Sequence, residues 1–250
     1  MIHNEMIEVS VITPTYQRRP FMTALIQMYQ QQTYPKEKME WIILDDGRDK
    51  VEDVFKEASK IIPNLRYIYH PEKLRIGEKR NRLNKEAKGN IIIAMDDDDY
   101  YPPQRVQTVV DAFAMHPDMN LAGSSKMLMY YMDTKKIYSI GPYGPNHATN
   151  GTMAYRKCYA EQHAYDNFVT KGEELSFLEQ YRHPIIQLDP LSSILVICHT
   201  DNTVDKTRLR KEHEQSRNPN RMVRTTYQLH DIVYDPMLQD FYKRLPSLLE

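Results

Sequence analysis

The apolar residues of the first hundred positions follow two alternating periods. Val9-Ser10-Val11-Ile12-Thr13 is a short β-branched run stopped at Pro14, and it predicts a buried strand. Residues 21–32 then place Phe21, Leu25, Met28 and Tyr29 at helical spacing. Trp41-Ile42-Ile43-Leu44 reads as a second buried strand, closed by the turn signal Asp45-Asp46-Gly47. Val51 to Ile62 predicts a helix with Val54, Phe55, Ala58, Ile61 and Ile62 on one face, and Leu65 to Tyr69 a third strand ending at His70-Pro71. Gly77 to Lys88 is a charged helix with a narrow apolar face and Gly89 as its cap. Ile91 to Met95, the fourth strand, runs directly into Asp96-Asp97-Asp98-Asp99.

This rhythm of strand and helix predicts parallel pairing through right-handed crossovers. Apolar runs without alternation fit strands covered on both faces. Ligands in such sheets sit beyond the carboxyl ends of the strands, where Thr13-Pro14-Thr15-Tyr16, Asp45-Asp46 and Asp96 to Asp99 all fall. After Pro103 the pattern changes. Residues 104–115 predict an amphipathic helix, Leu121 to Met132 and Ile137 to Ile140 strands, Gly141 to Pro145 a loop, and 152–157 a strand. Glu173 to Tyr181 reads as a short helix and Ile194 to Cys198 as a last strand ending at His199. From Asp205 the chain is polar and helical. The expectation is one α/β domain over 1–204, with a nucleotide-binding half (1–103) and a second half (104–204), and a helical extension over 205–250 packed upon it.

Composition narrows the field without naming a function. At 250 residues the chain can bury a large core unaided by disulfide or structural metal. Lys plus Arg number 33 against 34 for Asp plus Glu, a balance unlike the basic excess of a nucleic-acid binder. No apolar run approaches the ~20 residues of a membrane span, and MIHNEMIE is no signal peptide. Two cysteines, Cys158 and Cys198, form no framework, so a reducing, cytoplasmic setting is expected. Only 8 glycines occur, so a phosphate must be held by something other than a glycine cradle.

Four consecutive aspartates are the strongest chemical signal. Held close together and ionised they repel, and a hard divalent cation relieves this while sharing its remaining positions with phosphates. A solvated acidic turn is the alternative. An EF-hand is not: Tyr101 stands where its glycine belongs and Gln107 where its bidentate glutamate belongs.

VSVITPTYQRR at 9–19, WIILDDG at 41–47, GEKRNRLNKEAKGNIIIAMDDDDYYPPQRV at 77–106, KGEELSF at 171–177 and CHTDNT at 198–203 together resemble an inverting family-2 glycosyltransferase of the glycosyltransferase-A fold. The resemblance spans roughly residues 8–203, and its first three segments are the most specific. It implies Pro14 and Tyr16 lining the base pocket of a uridine-type nucleotide, with Asp46 accepting the imide hydrogen; Asp45 is equally suited to cap its own turn. It puts a base or diphosphate contact at Arg75 and Arg80, where an exposed helix face is the alternative. Asp96-x-Asp98 reads as the metal motif. Asp98 is then the principal Mn²⁺ or Mg²⁺ ligand, with Asp96 or Asp97 reaching ribose or metal-bound water, and the register is open by one residue. His199 matches a histidine that closes the metal site in some members. Glu173, or else Glu174, matches the acidic motif that supplies the base, although many members have Asp there; acidic residues in a first helical turn also suit the macrodipole.

The expected function is metal-dependent, inverting transfer of a sugar from a nucleotide-diphosphate donor, UDP-linked, to a hydroxyl of a glycan or glycoconjugate. The rivals are a sugar-phosphate nucleotidyltransferase, which usually opens with a glycine-rich basic loop absent here, and a catalytically inactive nucleotide-sugar-binding module. The basic stretch with Lys206, Arg208, Arg210, Lys211, Arg217, Arg221 and Arg224 suits either a solvated helix or a peripheral membrane or polyanion contact. Among 18 tyrosines, Tyr100, Tyr101, Tyr130, Tyr131 and Tyr143 are the candidates for stacking on an acceptor sugar.

Overall fold

The two longest strands are buried at every residue because each sends alternate side chains into one of two cores. β1 (Val9–Thr15) and β2 (Met39–Asp45) contribute Val9, Val11, Trp41 and Ile43 to one core, with α1 (Met22–Gln30) and α2 (Glu52–Ala58). Ile12, Ile42 and Leu44 face the other, with Leu83 of α3 (Ile76–Glu86). Trp41 is the largest fully buried side chain of the first core. It stacks on Tyr29 at 4.4 Å, meets Phe55 edge-on at 5.4 Å, and donates from Nε1 to Thr13 Oγ1 at 3.0 Å. The computed structural model describes residues 6–200, 202, 205–215 and 222–249.

With β3 (Leu65–Tyr69) and β4 (Ile91–Ala94) these strands form the parallel array expected from sequence, in the order β3-β2-β1-β4. Beyond β4 and α4 (Arg105–Met115), the sheet adds β5 (Leu121–Gly123), and the chain leaves it for β6 (Met127–Tyr131) and β7 (Lys136–Ile140). β8 (Ala154–Arg156) returns to lie antiparallel between β4 and β5. α5 (Lys157–Gln162) and the single turn α6 (Glu174–Phe177) follow, and β9 (Ile186–Gln187) completes the seven-stranded order β3-β2-β1-β4-β8-β5-β9. Only β8 opposes the common direction, so the mostly parallel central sheet stands. After α7 (Pro190–Ser193), β10 (Leu195–Cys198) joins a second sheet of order β10-β6-β7-β11, which the sequence did not announce. Its last strand, β11 (Met222–Arg224), comes after α8 (Lys206–Gln215), and α9 (Leu229–Ile232) and α10 (Pro236–Leu248) end the chain.

Several expectations are corrected. Leu121 to Met132 is not one strand: it breaks at Ser124-Ser125-Lys126 and its halves serve different sheets. The helix expected over Glu173 to Tyr181 stops after one turn, because Glu179, Gln180 and Tyr181 take φ of 46°, 59° and 61°. For non-glycine residues that left-handed region costs roughly 1–2 kcal/mol each. Gly89 does not cap a helix; its backbone lies so close to β1 that a Cβ would stand 2.7 Å from Ser10 N. Tyr100, Tyr101, Tyr130 and Tyr131 are buried core residues and cannot stack on an acceptor, whereas Tyr143 is 47% exposed.

The basic stretch is likewise not a continuous exposed face. Arg210 is buried and donates to both Asp133 oxygens at 2.9 and 2.7 Å, and Lys206 turns inward. Arg208 stays outside, paired with Glu212 at 2.6 Å, while Arg217 and Arg221 lie outside the described residues. α10 packs on α1: Asp235 caps its first turn through Met237 N and Leu238 N and also receives the amides of Gln27 and Gln31. Among the described residues no helix is long and apolar enough to cross a membrane.

Candidate active site

The carboxyl ends of β1, β2 and β4 meet at one edge of the large sheet, and the polar clusters singled out from sequence gather there. Pro14 is buried within β1, and Tyr16 follows, half-buried, with Lys73 Nζ 3.9 Å above its ring. Asp45 caps its own turn, accepting from Gly47 N at 2.8 Å and Val51 N at 3.1 Å as well as from Tyr67 Oη. Asp46 is fully engaged within the protein: one oxygen pairs with the buried Lys79 ammonium and the other accepts Leu74 N at 2.7 Å.

The aspartate run leaves the fully buried β4 in a series of bends. Asp97 and Asp99 are buried, Asp96 and Asp98 half-buried. Asp99 has a structural partner, accepting Ile197 N of β10 at 2.8 Å. Asp98 Oδ2 lies 3.2 Å from His199 Nε2 and 3.4 Å from Asn202 Nδ2. Arg18 stands against the run, 3.9 Å from Asp97 and 3.6 Å from Asp98. The structure thus brings Asp98 and His199 together, but Asp96 turns away from them to Arg80 at 2.9 Å.

These surroundings distribute the charge unevenly. Burial and the neighbouring Asp98 push Asp97 up to about 8, and burial pushes Asp99 up to about 7. Burial also disfavours the Asp98 carboxylate, but the His199 hydrogen bond and the Lys206 and Arg18 charges outweigh it and hold the group at about 2. Lys206 is itself raised, because Asp99 and Asp98 overcome the effect of its burial. The repulsion expected of four adjacent carboxylates is therefore eased by the raised Asp97 and Asp99 carboxyls and by inward-turned cations. Asp98 remains as the firmly ionised member.

Arg80 couples this run to the segment around 173. It donates from Nη2 to Asp96 at 2.9 Å and from Nε to Glu173 at 2.9 Å, while its buried Nη1 has no partner among the described residues. Glu173 also accepts from Asn150 Nδ2 at 3.3 Å. Glu174, one residue on, is half-buried and bonds to no other side chain among the described residues; burial, helped by the Glu173 charge, raises it above the ordinary glutamate range against a bond from its own backbone N–H. Arg75 does not join Arg80. It is exposed, donating to Phe168 O at 2.9 Å and lying over the Phe168 ring.

This donor set fits a hard divalent cation. An ionised carboxylate and an imidazole nitrogen converge, and an orphaned guanidinium N–H stands beside the run, as an added anion requires. Arg18, Lys79 and the inward face of Lys206 were missed as site residues by sequence reasoning. Arg18 lies three residues past the end of β1, Lys79 within α3 and Lys206 at the start of α8, so none carried a local signal of the acidic run. Asp201 and Thr203, which flank Asn202 in the expected motif, lie outside the described residues.

A family model described as glycosyl transferase family 2 matches residues 10–147. A putative teichuronic acid biosynthesis glycosyltransferase, TuaG, from Bacillus subtilis is 28% identical over 100 residues, 40% of this chain and 39% of that one. The chain thus spans well under half the length of that relative. The solved Staphylococcus aureus TarS, in complex with UDP-GlcNAc, superposes with a TM-score of 0.60 at 18% identity, covering 78% of this chain and 60% of that one. A mannosyltransferase from Pyrobaculum calidifontis, with GDP-Man and Mn²⁺, gives 0.63 at 16% identity, covering 82% and 61%. At these identities the two structures speak for the fold alone, and they share the mixed α/β architecture described above.

Proposed function

Because the chain belongs to glycosyl transferase family 2, we propose that it transfers a sugar, with inversion, from a nucleotide-diphosphate donor to a hydroxyl of a glycan or glycoconjugate. The observation that carries this reading is the Arg80 bridge. It holds the acidic strand end and the Glu173-Glu174 pair, distant in sequence, on either side of one partnerless guanidinium N–H. Donor and base would then face each other across the anomeric carbon.

The nucleoside lies along the end of β1, against Pro14 and Tyr16, with Asp46 and its Lys79 partner at the rim of the base. A uridine donor is the reading we favour, supported by the UDP-GlcNAc held by the TarS structure. Asp98 and His199 would hold Mn²⁺ or Mg²⁺, with Asp97 within reach of a metal-bound water and Asp96, as it stands, turned to Arg80. The cation would neutralise charge on the departing diphosphate, and the free Arg80 N–H supplies a further donor. Arg75 reaches the diphosphate only by leaving Phe168.

Glu174, rather than the Glu173 favoured by sequence, is the base in this scheme. Glu173 is committed to Arg80 and Asn150, whereas the Glu174 carboxylate bonds to no other side chain among the described residues and is raised by its burial. The acceptor oxygen attacks the anomeric carbon on the face opposite the diphosphate. Its proton passes to Glu174, and the bond from carbon to phosphate oxygen breaks with its electron pair on the diphosphate. Incubation with Mn²⁺ and a panel of UDP- and GDP-sugars, read as nucleotide release, tests the proposal. Slow release from one UDP-sugar is expected. No release from any nucleotide sugar, with no donor binding by calorimetry, would overturn it.

A further inference from the structure

A second cluster of metal-ligating groups lies where α5 meets the chain leaving α6. His163, Glu179 and His183 bring one ligand atom each within 4.8 Å of one another. Glu179 sits between the two imidazoles, its Oε1 3.5 Å from His163 Nε2 and its Oε2 3.2 Å from His183 Nε2.

The protonation pattern of His163 is the informative feature. Its Nδ1 lies 2.9 Å from the Tyr159 carbonyl, which can only accept, so Nδ1 carries the hydrogen. In the neutral ring Nε2 is then a lone pair, and it faces a carboxylate oxygen. Two electron-rich atoms so placed form an arrangement that a cation between them would satisfy. An Nδ1–H bond to a carbonyl is also the outer-shell arrangement that prepares Nε2 for a metal. The ring is held in place by parallel stacking on Tyr159 at 3.9 Å, and that tyrosine's hydroxyl donates to Phe177 O at 2.9 Å.

We propose that His163, Glu179 and His183 form a binding site for a divalent transition metal of the zinc class, separate from the aspartate run. Tetrahedral zinc with bonds of 2.0–2.1 Å sets its ligands about 3.3 Å apart. Two of the three edges are already at 3.5 and 3.2 Å. The third closes by side-chain rotation of the half-buried His183. A cavity of about 250 Å³, lined by Asp118, Asn120, Cys158, His163 and His183 among others, opens beside the cluster and leaves room for a fourth ligand, water or the exposed Cys158 thiol. The left-handed stretch Glu179-Gln180-Tyr181 is what turns Glu179 and His183 toward α5. Occupancy would therefore staple the segment downstream of Glu174 to α5.

The test uses the full chain carrying Asp98→Asn, which removes the other candidate site, stripped with chelator and titrated with Zn²⁺ alone against a chromophoric competitor. One Zn²⁺ per chain is expected, with a rise in Tm on binding. Adding His163→Gln and His183→Gln should weaken binding by more than about 100-fold, beyond the effect of losing an outer-shell partner alone. It should also abolish the Zn²⁺-dependent rise in Tm while leaving the far-UV circular dichroism unchanged. Co²⁺ in the chain with Asp98 intact gives a second reading: the visible ligand-field bands of a four-coordinate site, lost in the single His183→Gln variant. No Zn²⁺ bound to the Asp98→Asn chain, or equal binding after both histidines are replaced, would overturn the proposal and leave a proton as the bridging cation.

Discussion

Replacing Glu173 and Glu174 one at a time by glutamine separates the two roles assigned to them. Glu174 bonds to no other side chain within the described residues, and the bond from its own backbone N–H can be accepted by an amide oxygen, so Glu174→Gln should move stability by no more than about 0.5 kcal/mol. Its loss removes the base, and positioned proton transfer contributes roughly 10²–10⁴-fold, so kcat should fall by that factor with donor affinity unchanged. Glu173→Gln does the converse. It replaces a charge-assisted hydrogen bond from the buried Arg80 at 2.9 Å, worth about 1.5–3 kcal/mol. At roughly 2–4 °C per kcal/mol for a chain of this size, Tm should drop by about 3–12 °C. The pH profile adds an independent reading. The base works only when ionised, and burial raises Glu174, so the acid limb of kcat should lie above the ordinary glutamate range. In Glu174→Gln that limb should vanish. Turnover and thermal melts of both variants constitute the assay. Near-normal turnover in Glu174→Gln together with a collapse in a stable Glu173→Gln would refute the reasoning and return the base to Glu173.

Asp98→Asn should abolish the Mn²⁺-dependent part of donor binding, as should chelation of the native chain; unaltered affinity by calorimetry in the variant would remove Asp98 from the metal site. Asp99→Ala should leave Ile197 N–H without its acceptor and destabilise by about 1–3 kcal/mol in urea unfolding, with an unchanged midpoint counting against that tie. Phe55→Ala should cost about 3–5 kcal/mol, because the ring is fully buried between Trp41 and Tyr67. A loss below about 1 kcal/mol would mean that the core repacks around the gap.

What could be read from the chain follows from how local its causes are. β1, β2 and β4 were legible because short β-branched and apolar runs suit strands covered on both faces, and β3, half-buried at the sheet edge, because its aromatic and β-branched residues end at His70-Pro71. The break at Ser124-Ser125 was not legible. Two small polar residues in an otherwise apolar stretch suit a strand as well as a crossing between sheets, and the choice depends on partners such as Gln187, 62 residues away, whose Oε1 accepts from Ser125 N. Tyr100, Tyr101, Tyr130 and Tyr131 looked like sugar platforms because an aromatic beside an acidic motif gives no local sign of the core it fills. Arg18 could be noticed but not placed, since its use depends on β1 and β4 being neighbours. Sequence favoured Glu173 over Glu174, and it could not show the Arg80 bond that engages Glu173 and underlies the reversed proposal.

The junction of the two sheets has a consequence for how the molecule comes apart. Immediately after β4, Asp99 accepts from β10, and Tyr100 exchanges backbone hydrogen bonds with Leu195 of the same strand. The acidic run thus belongs at once to the last parallel strand of one sheet and to the edge of the other. A partial opening that frees β10 must release the aspartates with it, so the second sheet and the acidic run should open as one cooperative unit. Amide exchange should report this as matched protection for Tyr100, Leu195 and Ile197, which lie far apart in sequence yet can exchange only when both sheets have parted.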